Sequence, residues 1–377
     1  METQVIKIDA SNIDAAAIKK AAEAIDAGAL VAFPTETVYG IGCRVSNETL
    51  AKLDRLKGRP ADKYYTLHIA NPSDVSRYVP AIGLRAKKLV KNAWPGPLTI
   101  VFELDDSDIK QQKAKLQPEV FDNLYRDGSI GIRCPDNPIT SMLLSRTSGA
   151  VVAPSANVSG QAPAVEAAQV IEQFGDRLEI VLDGGACKYG KNSTVVRVGN
   201  PGAPGGIEML RQGVYSQAQV LEMAKVTILF VCTGNSCRSP MAEGLFKKYL
   251  AEKLGCTVDR LVEKGYIITS AGTLGMVGFP ASTEAVRVCA AMGVDISNHR
   301  SRALNGLLIE QSDLIYVMAQ GHRDAVADIS PESMDNCLLL AENTDIPDPI
   351  GQSQMVYNDC AELIDRAVRK RLSELVL

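Results

Sequence analysis

The run Val231-Cys232-Thr233-Gly234-Asn235-Ser236-Cys237-Arg238-Ser239-Pro240 sets a cysteine and an arginine six positions apart, between an apolar stretch and a helical one. Upstream, Val226-Thr227-Ile228-Leu229-Phe230-Val231 reads as a buried strand. Downstream, Pro240 suits the first helical position and Met241-Ala242-Glu243-Gly244-Leu245-Phe246 continues the helix. A loop so placed aims main-chain N–H groups and the positive end of a helix dipole at one point, which makes an anion site. Such a site favours a thiolate, so Cys232 is a candidate nucleophile. Arg238 adds a planar fork of donors suited to two phosphate oxygens. The bland alternative, a buried cysteine in a turn, is disfavoured because strand, loop and helix all agree with the motif.

Working outward, 377 residues are long for one core, and two domains are expected. Hydrophobic residues make up 46% and charged residues 22%, as in an ordinary globular protein. A net charge of -4 argues against a broad nucleic-acid-binding surface. No apolar run reaches the length of a membrane span, and Met1-Glu2-Thr3-Gln4 lacks the features of a secretory leader, so no membrane partner is expected. The nine cysteines are scattered without a Cys-x-x-Cys pair, which fits a reducing, cytoplasmic location.

The boundary is expected near Gly213-Val214-Tyr215-Ser216, after the Gly- and Pro-rich loop 199–206. This gives a first domain over 1–215, a linker over 216–224 in which Ser216 caps a short helix, and a second domain over 225–377. The second domain alternates strand and helix: strands at Ile228–Val231, Tyr266–Thr269 and Leu314–Met318, helices at Met241–Leu254, Ser282–Met292, after Gly321 and at Met355–Leu375. That pattern predicts an α/β doubly wound parallel sheet with ligands at the carboxyl ends of the strands, where Cys232 lies. In the first domain, strands are expected at Leu30–Phe33, Thr66–Ile69, Pro97–Phe102, Ser129–Ile132, Ala150–Ala153, Ile180–Leu182 and Ser193–Val198. Helices are expected at Asp14–Asp26, Glu48–Lys57, Leu84–Ala93, Ile139–Ser145 and Ala164–Phe174. Several of these strands lie too close for crossover helices, so an α+β mixed sheet is expected there.

Three clusters in the first domain carry chemistry. Phe33-Pro34-Thr35-Glu36-Thr37-Val38-Tyr39-Gly40-Ile41-Gly42 is a polar turn after a strand. Lys57-Gly58-Arg59-Pro60 puts two cations at a helix end, with His68 on the next strand. Ala153-Pro154-Ser155-Ala156-Asn157-Val158-Ser159-Gly160 is followed by Asn192-Ser193-Thr194-Val195 and Arg211. Lys57 and Arg59 can neutralise polyphosphate while hydroxyls and Asn157 orient it. The plainer readings are a solvated pair favoured by the helix dipole and a capped loop. No Gly-x4-Gly-Lys-Ser/Thr loop is present, so any nucleotide is held by another device.

These clusters, with Pro95-Gly96-Pro97-Leu98-Thr99, Arg133 followed by Pro135, and Ser193-Thr194-Val195-Val196, resemble the YrdC-like threonylcarbamoyl-AMP synthase family over roughly residues 8 to 213. The resemblance implies condensation of L-threonine, bicarbonate and ATP into threonylcarbamoyl-adenylate with release of pyrophosphate. The product is the donor for a modified adenosine beside the anticodon, which makes tRNA or tRNA-modification proteins candidate partners. By matching position, Thr37, His68 and Arg133 contact threonine. Arg59, Thr99, Ser155, Asn157, Ser193 and Arg211 contact ATP, Lys57 lies near the phosphates, and Mg2+ accompanies the nucleotide. The sequence departs from the family at Lys63-Tyr64-Tyr65, which puts nucleotide contacts there in question. An RNA-binding module without synthase activity is the different-class alternative, and carbamoyl transfer in hydrogenase maturation a further one.

From about Val226 onward the chain resembles the low-molecular-weight phosphotyrosine protein phosphatase family. Besides the opening loop, Ser270-Ala271-Gly272-Thr273, Asn298-His299-Arg300-Ser301, Asp313 through Met318, His322 and Asp345-Ile346-Pro347-Asp348-Pro349 carry the likeness. It implies a cysteinyl-phosphate mechanism without a cofactor or metal, acting on a phosphoprotein. Cys232 is the nucleophile, Arg238 the phosphate ligand and Asp348 the general acid. Ser239 bonds the sulfur and Asn235 braces the loop. Asp345 is the rival acid. Thr233 and Ser236 are candidate specificity residues. With a small Ser236, and Ile350-Gly351 where phosphotyrosine-selective relatives carry aromatics, phosphoarginine is a candidate substrate. Thioredoxin-coupled arsenate reductases share part of the loop but use further cysteines, and this chain has none between Cys289 and Cys337. Cys237 is a candidate partner for a protective disulfide with Cys232, or simply a packed thiol.

Overall fold

In the computed structural model, residues 2–58, 64–199, 206–342 and 344–376 are described. The chain divides into two compact units, Met1–Ala224 with Val376–Leu377, and Lys225–Leu375. The stretch expected as a linker is instead part of the first unit. Ser216 caps the helix Gln217–Met223, and Gln219 returns a bond to the Ser216 N–H. The helix buries Val220, and Asn92 and Arg85 donate to the carbonyls of Met223 and Ala224.

Among its described residues the first unit forms one mixed sheet of eleven strands. At its centre Val151–Val152, Thr66–His68, Ser129–Arg133, Leu98–Glu103 and Thr194–Val198 lie side by side, with parallel and antiparallel pairs interspersed. The register sets His68 opposite Arg133, and Arg133 opposite Thr99. Three polar side chains from distant parts of the sequence thereby meet at one end of adjoining strands. The helix Ala15–Asp26 covers the sheet because Ile18, Ala21, Ala22 and Ile25 share one face, and Asp14 caps its start.

Two groups of elements escape the sequence reading. Gly40–Arg44 is a strand although its glycines suggest a turn; a Cβ on Gly42 would sit 2.4 Å from the Phe33 ring, so glycine is a packing requirement. Asp106–Lys115 is a helix without an apolar stripe, capped by Asp105. Gln4–Lys7, Tyr125–Arg126 and Ile207–Arg211 are further short strands, and Pro118–Leu124 a further helix.

The second unit is a four-stranded parallel sheet in the order Tyr266–Gly272, Val226–Cys232, Leu314–Val317, Cys337–Leu339. Its first strand is buried almost throughout, as a strand covered on both faces must be. Leu229 and Val231 pack with Ile309 and Val326 of the helices Gly306–Glu310 and Gln320–Ile329. On the alternate side Phe230 meets Phe246 of the helix Arg238–Lys253. Thr283–Ala291 and Gln354–Glu374 are the remaining long helices. The helix after the cysteine loop starts at Arg238 with Cys237 as its cap, two residues earlier than Pro240 suggests. Proline is tolerated at the third position because the first four N–H groups lack an intrahelical partner anyway. All nine cysteines are free thiols. No helix among the described residues is long and apolar enough to cross a membrane.

Candidate active sites

In the first unit, a cavity of about 280 Å³ opens where the strand ends converge. Lys57, His68, Thr99, Arg133, Ser155, Asn157, Ser193 and Arg211 all line it. Among its described lining residues are three cations and no carboxylate. Arg59 and Lys63 lie outside the described residues. Thr37 does not line the cavity; it is fully buried, and the neighbouring Thr35, itself buried, lines the cavity in its place. The reason is local: the Thr35 hydroxyl donates to Val38 O at 2.6 Å and closes a turn that points Thr37 inward.

Arg133 is held from behind. Its Nη2 donates to Glu36 Oε1 at 2.8 Å and Thr37 Oγ1 at 2.7 Å, while Glu36 Oε2 accepts the Asp136 N–H at 3.1 Å. Arg133 Nε has no partner among the described residues. In sequence Glu36 stands only as part of the turn motif; the fold makes it the buried counter-charge of Arg133. Burial, and then the Arg133 guanidinium, push the His68 pKa down to about 3. The ring is therefore neutral, with Nδ1 donating to Thr66 O at 3.1 Å and Nε2 an acceptor without a partner among the described residues.

Lys57 is buried, and its ammonium donates to the carbonyls of Ser155 and Asn157, tying helix Asn47–Lys57 to the 155–160 loop. The Ser155 hydroxyl donates to Asn157 Oδ1 at 2.5 Å. Arg211 Nη2 donates to the Ser193 carbonyl at 2.9 Å and hydroxyl at 3.0 Å, and the Ser193 hydroxyl lies 3.1 Å from that of Thr99. Tyr64, from the stretch that departs from the family pattern, also lines the cavity and bonds to Asp127.

In the second unit, Cys232 ends the central strand and is 2% exposed. Its Sγ accepts the Asn235 N–H at 3.3 Å and lies 3.0 Å from Ser239 Oγ. Asn235 adopts a left-handed φ of 51°, which asparagine tolerates well. Its side chain donates to Ser239 Oγ (2.9 Å) and Ser270 Oγ (2.8 Å) and accepts from Arg302 N (2.7 Å). His299 Nε2 donates to its carbonyl at 2.8 Å. Asn235 therefore fixes the loop from four directions.

Arg238 is buried, with Nη1 on Ile346 O at 3.0 Å and Nη2 on both Thr233 Oγ1 and Asp348 Oδ2. Its Nε has no partner among the described residues. Asp348 is partly exposed, whereas Asp345 accepts the Gln320 N–H at 2.9 Å and so caps the helix Gln320–Ile329. Of the two carboxylates, Asp348 is the one that meets Arg238. His322, not assigned a role from sequence, lies 2.9 Å from Thr233 Oγ1. Ser236 is half-buried. Cys237 turns its Sγ towards Tyr357 Oη (3.2 Å) and Ser282 Oγ (3.4 Å).

Residues 23–213 match the family model for Sua5, YciO and YrdC proteins, described as telomere recombination. The chain belongs to that family. Its second half also belongs to the low molecular weight phosphotyrosine protein phosphatase family, whose model matches residues 227–376. A threonylcarbamoyl-AMP synthase of Pyrococcus abyssi is 36% identical over 180 residues, 48% of this chain and 50% of that protein. The chain thus spans about half the length of the synthases it matches first. A probable low molecular weight protein-tyrosine-phosphatase EpsP of Ralstonia solanacearum is 36% identical over 144 residues, 38% of this chain and 90% of that protein. The structure of P. abyssi Sua5 complexed with L-threonine shares the fold at a TM-score of 0.51 and 22% identity, covering 71% of this chain and 92% of that one. The chain therefore joins a Sua5-type domain to a low molecular weight phosphatase domain.

Proposed function

We propose that the chain is a bifunctional enzyme. The first unit condenses L-threonine, bicarbonate and ATP into threonylcarbamoyl-AMP. The observation that carries this reading is a cavity whose described lining offers Lys57, Arg133 and Arg211 without a carboxylate, suited to substrates that are all anionic or carry a carboxylate. Bicarbonate and the threonine amine give a carbamate with loss of water. Its oxygen attacks the α-phosphorus, and pyrophosphate leaves. Arg133, braced by Glu36, would bind the threonine carboxylate through its Nε, which has no partner among the described residues. His68 Nε2, without a partner among the described residues, would accept from the threonine ammonium or hydroxyl. Ser155, Asn157, Ser193 and Arg211 would orient the nucleotide, with Lys57 holding the loop that bears two of them. With no acid in the described lining, Mg2+ fits as a companion of the ATP phosphates, brought in with the substrate. The test is pyrophosphate release from ATP by the full chain, which should require both threonine and bicarbonate. Binding of RNA with no such release would favour the binding-module alternative.

The second unit hydrolyses phosphorylated protein. What supports this is the convergence of Cys232, Arg238 and Asp348 on one loop mouth. Cys232 Sγ attacks phosphorus, the leaving atom takes the Asp348 proton, and Asp348 then deprotonates the water that cleaves the S–P bond. Arg238 Nε and the loop hold the equatorial oxygens. Phosphoarginine is a second reading of the substrate, favoured by the small Ser236 and by exposed Ile350 where a tyrosine slot needs aromatic walls. Comparing turnover of phosphotyrosine and phosphoarginine peptides tests it, and a large preference for phosphotyrosine overturns it.

A further inference from the structure

The Thr233 hydroxyl sits where side chains of three elements meet. Arg238 Nη2 donates to Thr233 Oγ1 at 3.0 Å, and His322 Nε2 lies 2.9 Å from the same oxygen. A hydroxyl has one proton and two lone pairs, and a guanidinium can only donate, so Arg238 fills one lone pair. His322 is 6% exposed, and burial first, then Arg238, push its pKa down to about 4, so the ring is neutral and carries a single N–H. If that proton sat on Nδ1, a buried N–H would be left without a partner among the described residues. If it sits on Nε2, only a lone pair on Nδ1 goes unused, and an unused acceptor is the milder defect. The ring then donates to Thr233 and fills the second lone pair. The Thr233 proton is left to seek a third partner, on a half-buried residue of the loop that carries Cys232 and Arg238.

We propose that Thr233 is a further side-chain donor to the phosphoryl group in the Cys232 reaction, and that His322 is the positioning residue that turns its proton into the site. This rests on the phosphatase reading above. Both residues stand outside the Cys232–Arg238–Asp348 set, and the inference follows from counting protons and lone pairs around one oxygen.

The test is steady-state hydrolysis of p-nitrophenyl phosphate, with inhibition by orthovanadate, for the full chain and a set of variants. Thr233→Val, which keeps shape and loses the proton, should lower kcat and weaken vanadate inhibition about tenfold while KM stays within about twofold. Thr233→Ser should restore most of that loss. His322→Ala should fall as far as Thr233→Val, the double variant should fall no further, and His322→Gln, which retains a donor, should recover part. Undiminished kcat in Thr233→Val would overturn the proposal, as would additive losses in the double variant. If His322→Ala fails to fold, the Thr233→Val and His322→Gln results decide it alone. Absence of hydrolysis by the unaltered chain would instead overturn the phosphatase reading, and the proposal with it.

Discussion

His68 and Glu36 are buried polar residues of the first unit, and the burial of each bears on stability. The His68 pKa falls from 6.5 to about 3 on folding. Its contribution is therefore constant above about pH 6.5. Below that, the unfolded chain takes up a proton that the folded chain refuses, so stability falls with pH down to about 3. At pH 5 this amounts to about 2 kcal/mol. Thermal unfolding of His68→Gln should lose less stability than the unaltered chain between pH 7 and 5, and equal slopes would refute the assignment. Glu36→Ala leaves Arg133 as a buried charge without its carboxylate, which should cost about 3–5 kcal/mol in a denaturant titration. A loss below about 1 kcal/mol would show that Arg133 finds another partner.

At the scale of elements, each site depends on where a strand stops. Gly272 ends the strand beside Cys232, and a Cβ there would lie 2.7 Å from Thr233 O and 2.9 Å from Asn235 N. Main-chain atoms cannot yield as a flexible side chain can. Gly272→Ala should therefore leave far-ultraviolet circular dichroism unchanged but reduce phosphatase kcat at least tenfold by displacing the loop. Unchanged kcat would mean that the loop tolerates the shift. The loop and its flanking strand were legible in sequence because an unbroken apolar run and a dense motif coincide. The start of the helix was misplaced, since Pro240 looks like a first-turn signal wherever in that turn it falls. Asp106–Lys115 escaped notice because its hydrophobic period is missing, and Gly40–Arg44 because glycine in a strand looks like a turn until the Phe33 ring is seen against it. Thr37 and Glu36 were legible as a motif, but which of the three residues Thr35, Glu36 and Thr37 faces the cavity is decided by the Thr35 turn.

At the scale of the molecule, each site draws every described residue from a single unit. Chain length pointed to two domains, and the spacing and alternation of strands and helices to their sheet types. The helix Gln217–Met223 could be read as an element, yet its membership of the first unit rests on the Asn92 and Arg85 contacts, which no local pattern announces. The most direct measurement is a crossed one on the full chain: threonine-dependent pyrophosphate release and p-nitrophenyl phosphate hydrolysis, each assayed in Cys232→Ser and in Arg133→Lys. Cys232→Ser should abolish hydrolysis and leave pyrophosphate release intact. Arg133→Lys, which keeps a charge for Glu36 but loses the fork, should cut pyrophosphate release at least tenfold and spare hydrolysis. Loss of both activities in either variant, or hydrolysis surviving without the Cys232 thiol, would contradict two self-sufficient sites on one chain.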